Sequence, residues 1–577
     1  MAKPAIPRFL VTSLVVGSLL GTGIYLTGRQ RDWAASTTGA AVGAGKSETP
    51  PPPKATKPDR PDADLWLTWK DKPIPEILAA LAPAPTGDAA AAQLSLDLTP
   101  PAGTTPDLFQ PRFSPRLDAA FPAAESIAAL DGAWLFSGES QPPALRTLEG
   151  GALADRTAAA GLAAIVGGRM VLPADFDQDG DTDLFIGRAG VLPDSLLRRT
   201  GPDAWEDITV AAGLLEFLDL AAAAWVDYDR DGWLDLCVVQ HPPVPGSGSL
   251  IRLFHNESGN RFTEVATRAG LSIPGRISSL LWRDFDDDGY PDLLLSLTTP
   301  SAGLMIWLSQ PGTEGNGRSF TDATAAMSLS GAAGGGPLAS ADFDGDGRDD
   351  LAAAAEGTVS LFITQPGSPA RFEDRSRELT GGGVAQPRAL LAGDLDLDGL
   401  PDLVVIGATA RAWWHAGALA FREIPEGAGF ATAGPVTGVL ATQADDRGTP
   451  AYLIAGGSKW HSSFRLAENA PALTRSRVRL RLNAPDGVAP GAPGARVELV
   501  TRDRFWIYRT QTLTIDEPEE IIGLDEAVAI ESLTIRWPDR ARTETRLEKL
   551  PVDHLLELST GSAAPVVTPL PPAPATP

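Results

Sequence analysis

The sequence predicts an all-β repeat protein: a ring of seven four-stranded blades, a small antiparallel β domain after it, and an N-terminal transmembrane helix. Three observations predict it. An aspartate-rich box recurs five times, each copy running into an apolar strand: "DFDQDGDTDLFIG", "DYDRDGWLDLCVV", "DFDDDGYPDLLLS", "DFDGDGRDDLAAA" and "DLDLDGLPDLVVI". The glycines of these boxes, Gly180, Gly232, Gly289, Gly347 and Gly399, are spaced 52, 57, 58 and 52 residues apart, a period typical of solenoids and propellers. Finally, 577 residues are too many for one ordinary compact domain unless the chain repeats.

Two degenerate copies extend the repeat. "ALDGAWLFSG" places Gly132 48 residues before Gly180, and "QADDRGTPAYLIAGG" places Gly448 49 residues after Gly399. Only Asp445 survives of the four box aspartates in the last copy, and the first lacks them, so five blades are expected to bind metal and the first and last are not. Each unit runs from box and strand to a second strand with a Gly/Asn turn, as in "IRLFHNESGNRF", and then to a piece such as "FTEVATRAGL" or "WEDITVAAGL". About four short strands per 50 residues suit one propeller blade, and a closed ring leaves no exposed sheet edge.

The segments in chain order are a cytoplasmic stub (1–8), an anchor or signal segment (9–28), a Pro-rich linker with a short helix (29–92), the propeller (93–475), the β domain (476–560) and a disordered Pro-rich tail (561–577). "FLVTSLVVGSLLGTGIYLTG", Phe9 to Gly28, is uncharged between Arg8 and Arg29, and its length matches a bilayer core. It reads as an uncleaved anchor, with cleavage near "WAAS" as the alternative and secretion as its consequence. Lys3, Arg8 and the amino terminus on one side slightly outweigh Arg29 and Arg31 on the other, which puts the bulk of the chain outside the cytoplasm.

The boxes read D-x-D-x-D-G-x-x-D. Side chains at positions 1, 3 and 5 of a tight loop converge, Gly at position 6 allows the turn, the carbonyl at position 7 points inward, and Asp at position 9 closes the far side. An all-oxygen cage of this kind suits Ca²⁺, and without an ion its carboxylates repel one another. The expected side-chain ligands are Asp175, Asp177, Asp179 and Asp183; Asp227, Asp229, Asp231 and Asp235; Asp284, Asp286, Asp288 and Asp292; Asp342, Asp344, Asp346 and Asp350; and Asp394, Asp396, Asp398 and Asp402. The expected carbonyl donors are Asp181, Trp233, Tyr290, Arg348 and Leu400. An EF-hand would need an acidic residue at position 12, where the five copies carry Ile186, Val238, Leu295, Ala353 and Val405. About five structural Ca²⁺ are therefore expected. They would move the formal charge from −25 to about −15, and moderate-affinity sites of this type fill at extracellular calcium levels.

These boxes resemble the FG-GAP/VCBS repeats of integrin α-subunit propellers and related bacterial surface proteins over about residues 125–470, and in that family the four Asp and the carbonyl are the calcium ligands. The region after them, "GAPGARVELVTRDRFWIYRTQT" (491–512), "IIGLDEAVAIESLTIRWPD" (521–539) and "RLEKLPVDHLLEL" (546–558), is similar to the ASPIC/UnbV domain of cartilage acidic protein and many bacterial proteins. The usual GLG turn reads Gly523-Leu524-Asp525 here, while Trp537-Pro538 is kept.

The formal charge of −25 excludes a nucleic-acid binder. The single cysteine, Cys237, excludes an intrachain disulfide and reads as a small buried hydrophobe. Five scattered histidines, His241, His255, His415, His461 and His554, form no catalytic or metal motif, and no nucleophile elbow or phosphate loop is present, so the chain is not expected to be an enzyme. The expected role is a membrane-tethered, extracytoplasmic adhesion or interaction scaffold with a protein or matrix partner. A lectin-like glycan binder is the alternative, for which Trp413, Trp414 and Trp460 are the stacking candidates. A polysaccharide lyase or hydrolase is a more distant one.

Overall fold

The computed structural model describes Phe113–Pro115 and most of residues 124–570, with breaks that include 216–218, 243–246, 313–316, 425–437 and 467–474. All of these belong to the second of the chain's two compact units, Pro106–Pro577. The expected membrane segment, linker and short helix lie outside the described residues, and no helix among those described is long and apolar enough to cross a membrane.

The described chain is all-β. Its larger part forms seven four-stranded antiparallel sheets, six of them meandering in sequence order. The third is representative: Asp219–Val226, Asp235–His241, Leu250–Asn256 and Phe262–Glu264 pair in succession. The second strand of each repeat is buried on both faces, as at Asp183–Gly187, Asp350–Ala355 and Asp402–Ile406. That is why these segments read as unbroken apolar runs rather than as alternation. First strands of successive sheets lie side by side from the first sheet to the sixth, and Gly438–Gln443 of the seventh sheet lies beside Ser126–Leu130 of the first. The seventh sheet takes its outer strand, Phe113–Pro115, from far upstream, paired with Phe464–Leu466.

Sheet packs on sheet through a regular device. The apolar residue at position 2 of each Asp box is buried: Phe176, Tyr228, Phe285, Phe343 and Leu395 are at most 3% exposed. Four of these meet a phenylalanine on the last strand of the following sheet: Phe176 and Phe262 at 5.9 Å, Tyr228 and Phe320 at 6.3 Å, Phe285 and Phe372 at 5.5 Å, Phe343 and Phe421 at 5.9 Å. Burying each such ring stabilises by about 1.5–3 kcal/mol, and it nails the base of each aspartate loop to its neighbour.

The C-terminal domain is a sandwich of two four-stranded sheets around Val478, Leu480, Val497, Leu499, Leu533, Ile535, Trp537 and Leu556. The expectation of a purely antiparallel domain is corrected here. Arg477–Asn483 and His554–Ser559 pair in parallel, because the chain crosses through the other sheet before it returns. The tail after Ser562, expected to be disordered throughout, contributes the strand Val566–Pro569 on His554–Glu557. Two adjacent valines and a threonine favour extended backbone, and an open sheet edge is there to receive them.

Candidate metal centres

Five loops join the first and second strands of sheets two to six, and each is one aspartate box. Their shape follows from two backbone positions. Gly180, Gly232, Gly289, Gly347 and Gly399 at position 6 have φ of 90°, 92°, 93°, 88° and 84°, a region L side chains avoid. Position 4 is also left-handed: Gln178 (60°), Arg230 (57°), Asp287 (61°), Gly345 (76°) and Leu397 (63°). Four of those five carry side chains, each at a cost of about 1–2 kcal/mol.

The turn gathers the carboxylates. In four loops one oxygen from each of positions 1, 3 and 9 lies within 4.8 Å of the others: Asp175, Asp177 and Asp183; Asp227, Asp229 and Asp235; Asp284, Asp286 and Asp292; Asp342, Asp344 and Asp350. Asp229 and Asp231 also approach His255 within the same limit. In the fifth loop Asp394 takes the N–H groups of Asp398 (3.0 Å) and Gly399 (2.8 Å), the same pattern as Asp227 with Asp231 and Gly232 at 3.0 Å each.

Position 5 turns one oxygen onto the N–H of position 7, Asp179 to Asp181 at 2.9 Å, Asp231 to Trp233 at 3.0 Å, Asp288 to Tyr290 at 2.8 Å, Asp346 to Arg348 at 2.9 Å and Asp398 to Leu400 at 2.9 Å. Position 9 opens the second strand and is 0% exposed in all five copies. It also accepts from the third strand of its own sheet: Asp183 from Arg199, Asp235 from Asn256, Asp350 from Thr364 and Asp402 from His415, each at 2.7 Å, and Asp292 from Ser309 at 2.8 Å.

These bonds use only part of each carboxylate. Asp177 Oδ1, Asp183 Oδ2 and Asp396 Oδ1 are buried with no hydrogen-bond partner. Asp177 and Asp396, both at position 3, give the other oxygen to an arginine: Arg198 Nε at 2.8 Å and Arg475 Nη1 at 2.7 Å. A guanidinium outside and a bare oxygen inside is the arrangement of a metal ligand with a supporting partner.

Burial, reinforced by neighbouring aspartates, pushes Asp183, Asp227, Asp284, Asp342 and Asp394 up to about 7 and Asp350 and Asp398 up to about 8. Asp235, Asp292 and Asp402 are raised well above the carboxylate range by the same burial. Carboxyls placed like this stay charged at neutral pH only with a cation among them. An all-oxygen, acidic, partly desolvated donor set fits a hard divalent ion such as Ca²⁺.

The family comparisons match this geometry. The FG-GAP-like repeat family matches residues 175–238, 227–295 and 342–405, which together take in all five loops, and the ASPIC and UnbV family matches residues 487–565. The chain carries FG-GAP-like repeats and, after them, an ASPIC/UnbV domain. No curated protein is similar enough to match it. Among solved structures it is similar to a chain of the crystal structure of BBS1N in complex with ARL6DN, soaked with mercury (8% identity, 63% of this chain and 99% of that one, TM-score 0.38). It is also similar to the computationally designed Ika8 protein (10% identity, 62% and 99%, TM-score 0.35).

Sequence reasoning missed the cations. Arg198, Arg318, Arg348 and Arg475 pair with box aspartates, as does His255, whose Nδ1 lies 3.1 Å from Asp235 Oδ1 and whose pKa that hydrogen bond lifts to about 9. Arg348 belongs to its own loop, two residues after Asp346; no local spacing marks the others, because each approaches its loop from another strand or another domain. Of the stacking candidates, Trp413 is fully buried in the core of its sheet pair and cannot stack on a ligand, Trp414 is half-buried, and the side chain of Trp460 lies outside the described residues. Cys237 is likewise fully buried, its thiol pushed up to about 12 by that burial. His415 is buried against Phe421 and lowered to about 4, so it is neutral. The seventh box, around Asp445 and Gly448, lies outside the described residues.

Proposed function

We propose that this FG-GAP-repeat protein is an extracytoplasmic, membrane-tethered scaffold. Its seven sheets are the blades of a closed propeller, five Ca²⁺ pin the blade-connecting loops, and the loop faces bind a protein or matrix partner. The convergence of positions 1, 3 and 9 within 4.8 Å, with bare inner oxygens, carries the calcium reading. The adjacency of the first and seventh sheets, and the completion of the seventh by Phe113–Pro115, support ring closure. A structural role for the ions is supported by the way the position-9 carboxylates are tied into the third strand of their own sheets, as Asp183 is to Arg199 and Asp402 to His415. An adhesion role is what FG-GAP repeats suggest.

Calorimetric titration of the calcium-stripped protein tests this. Uptake of about five Ca²⁺, with a large fall in melting temperature after chelation, is expected; a stoichiometry of zero or one overturns the assignment of the ligands. Binding of the purified ectodomain to immobilised matrix and surface proteins tests the scaffold role.

A second reading, glycan binding, draws support from a different place than the sequence suggested. Phe505, Trp506 and Tyr508 at one hairpin tip of the ASPIC/UnbV domain are 59%, 68% and 54% exposed. Asp503 fixes that tip by accepting the N–H groups of Phe505 (2.8 Å) and Ile507 (2.9 Å). A glycan array that lights up with the wild type and goes dark with Trp506→Ala would promote this reading; a blank array removes it.

A further inference from the structure

The ASPIC/UnbV domain sits on the aspartate loops themselves. At the fifth loop Arg475 donates to the carbonyl of Asp396 (2.8 Å) as well as to its carboxylate (2.7 Å), and the N–H of Asp525 donates to the carbonyl of Leu397 (3.1 Å). Gly523 lies so close that a Cβ on it would stand 2.0 Å from Asp394 Oδ2 and 2.5 Å from the Leu397 backbone. At the second loop Arg540 donates to the carbonyl of Asp229 (3.3 Å), and Arg230 to that of Pro493 (3.3 Å). A Cβ on Gly232 would stand 2.7 Å from the backbone of Gly487. At the third loop Arg496 meets Asp287 Oδ1 at 2.7 Å, and at the fourth Thr514 donates to Asp349 Oδ2 at 2.8 Å.

Several of these contacts use loop carbonyls at or beside the left-handed position 4, those of Asp229, Asp287, Asp396 and Leu397, while Arg230 at position 4 of the second loop reaches the domain with its guanidinium. Those atoms face the domain only while the loop keeps its metal-binding turn. Clustered carboxylates and a left-handed residue with a side chain both push the loop out of that turn when no cation neutralises it.

We propose that docking of the ASPIC/UnbV domain and metal occupancy of the second and fifth loops are one linked equilibrium. Calcium holds the domain on the propeller, and the docked domain in turn tightens calcium at those loops. This rests on the calcium reading above. By reciprocity, whatever factor calcium adds to docking, docking adds to calcium affinity. The domain is a calcium-dependent clasp, and Gly523 and Arg475 are its positioning residues.

The test is hydrogen exchange on the full chain with and without calcium, with calorimetry on the same samples. Chelation, and Asp394→Asn in calcium, are expected to expose amides in 487–496 and 519–525. Leu403–Ile406 of the propeller and Val497–Val500 of the domain core should remain protected. Asp175→Asn in the first loop should leave 519–525 protected. Gly523→Val, which disturbs the seat from the domain side, should weaken one calcium site about tenfold and spare the first-loop site. The proposal is overturned if calorimetry shows calcium leaving while 487–496 and 519–525 stay protected. It is also overturned if Gly523→Val leaves every affinity unchanged, or if protection is lost everywhere at once. Calorimetry showing no calcium uptake at all would instead remove the calcium reading, and this proposal with it.

Discussion

The first and fifth aspartate loops carry the same four aspartates at the same spacing, yet they sit in different surroundings. In the first, Gln178, Asp179, Gly180 and Asp181 are exposed, and the guanidinium on Asp177 comes from Arg198 of the same sheet. In the fifth, Leu395, Asp396 and Leu397 are buried, and the guanidinium on Asp396 comes from Arg475, which opens the C-terminal domain. The sequence motif sets the turn that gathers the carboxylates in both. What differs is what the loop supports: the first serves its own sheet, whereas the fifth is also a floor for another domain.

The largest expected separation between the two is on mutation of position 3. Asp396→Ala removes a buried carboxylate and strands Arg475, so it should cost about 3–5 kcal/mol. Asp177→Ala strands a more accessible arginine and should cost about 1–2 kcal/mol. Urea unfolding of both variants in calcium checks this, and equal losses would break the comparison.

A pH titration comes next. Aspartates whose folded-state pKa is raised to 7–8 favour the metal-free fold while protonated. That contribution is complete below the unfolded value of about 4 and is lost as pH rises through about 7–8. The melting temperature of calcium-stripped protein should therefore fall between pH 4 and 8. The stabilisation added by calcium should grow across the same window, because binding needs ionised ligands. Asp398→Asn should flatten the metal-free profile more than Asp175→Asn does.

Smaller still is the contrast between Gly399→Ala and Gly180→Ala. Both place a side chain at φ near 90°, at about 1–2 kcal/mol. Only at Gly399 would the new Cβ also meet Gln511 Oε1, at 2.4 Å, whereas nothing lies within 4 Å of that at Gly180. An extra loss of about 1 kcal/mol at Gly399 is expected by thermal melts. The smallest effect is Asp181→Asn, on the exposed face of the first loop, which should stay within about 0.5 kcal/mol.

The sequence alone determined the period, the five loops and the aspartates that cluster in them, because these are local. A glycine forced to positive φ, aspartates two apart on a tight turn and a doubly buried strand directly after them are written within a dozen residues. It also placed the C-terminal strands, whose alternation at Arg477–Leu482 puts Val478, Leu480 and Leu482 inward. The first repeat was legible too: Leu130 pairs with Ala133, leaving two residues where the other sheets carry a whole loop.

Only the tertiary structure decided which loops are sealed and by what. Arg475 and Arg540 carry no signal in the sequence, and Gly523 reads there only as part of a turn; their roles depend on contacts across 79 to 311 residues of chain. The same holds for Phe113–Pro115, a three-residue strand that closes a sheet some 350 residues later. Local rules fix the shape of a turn, but where a guanidinium or a strand edge finds its partner depends on how the whole chain closes on itself.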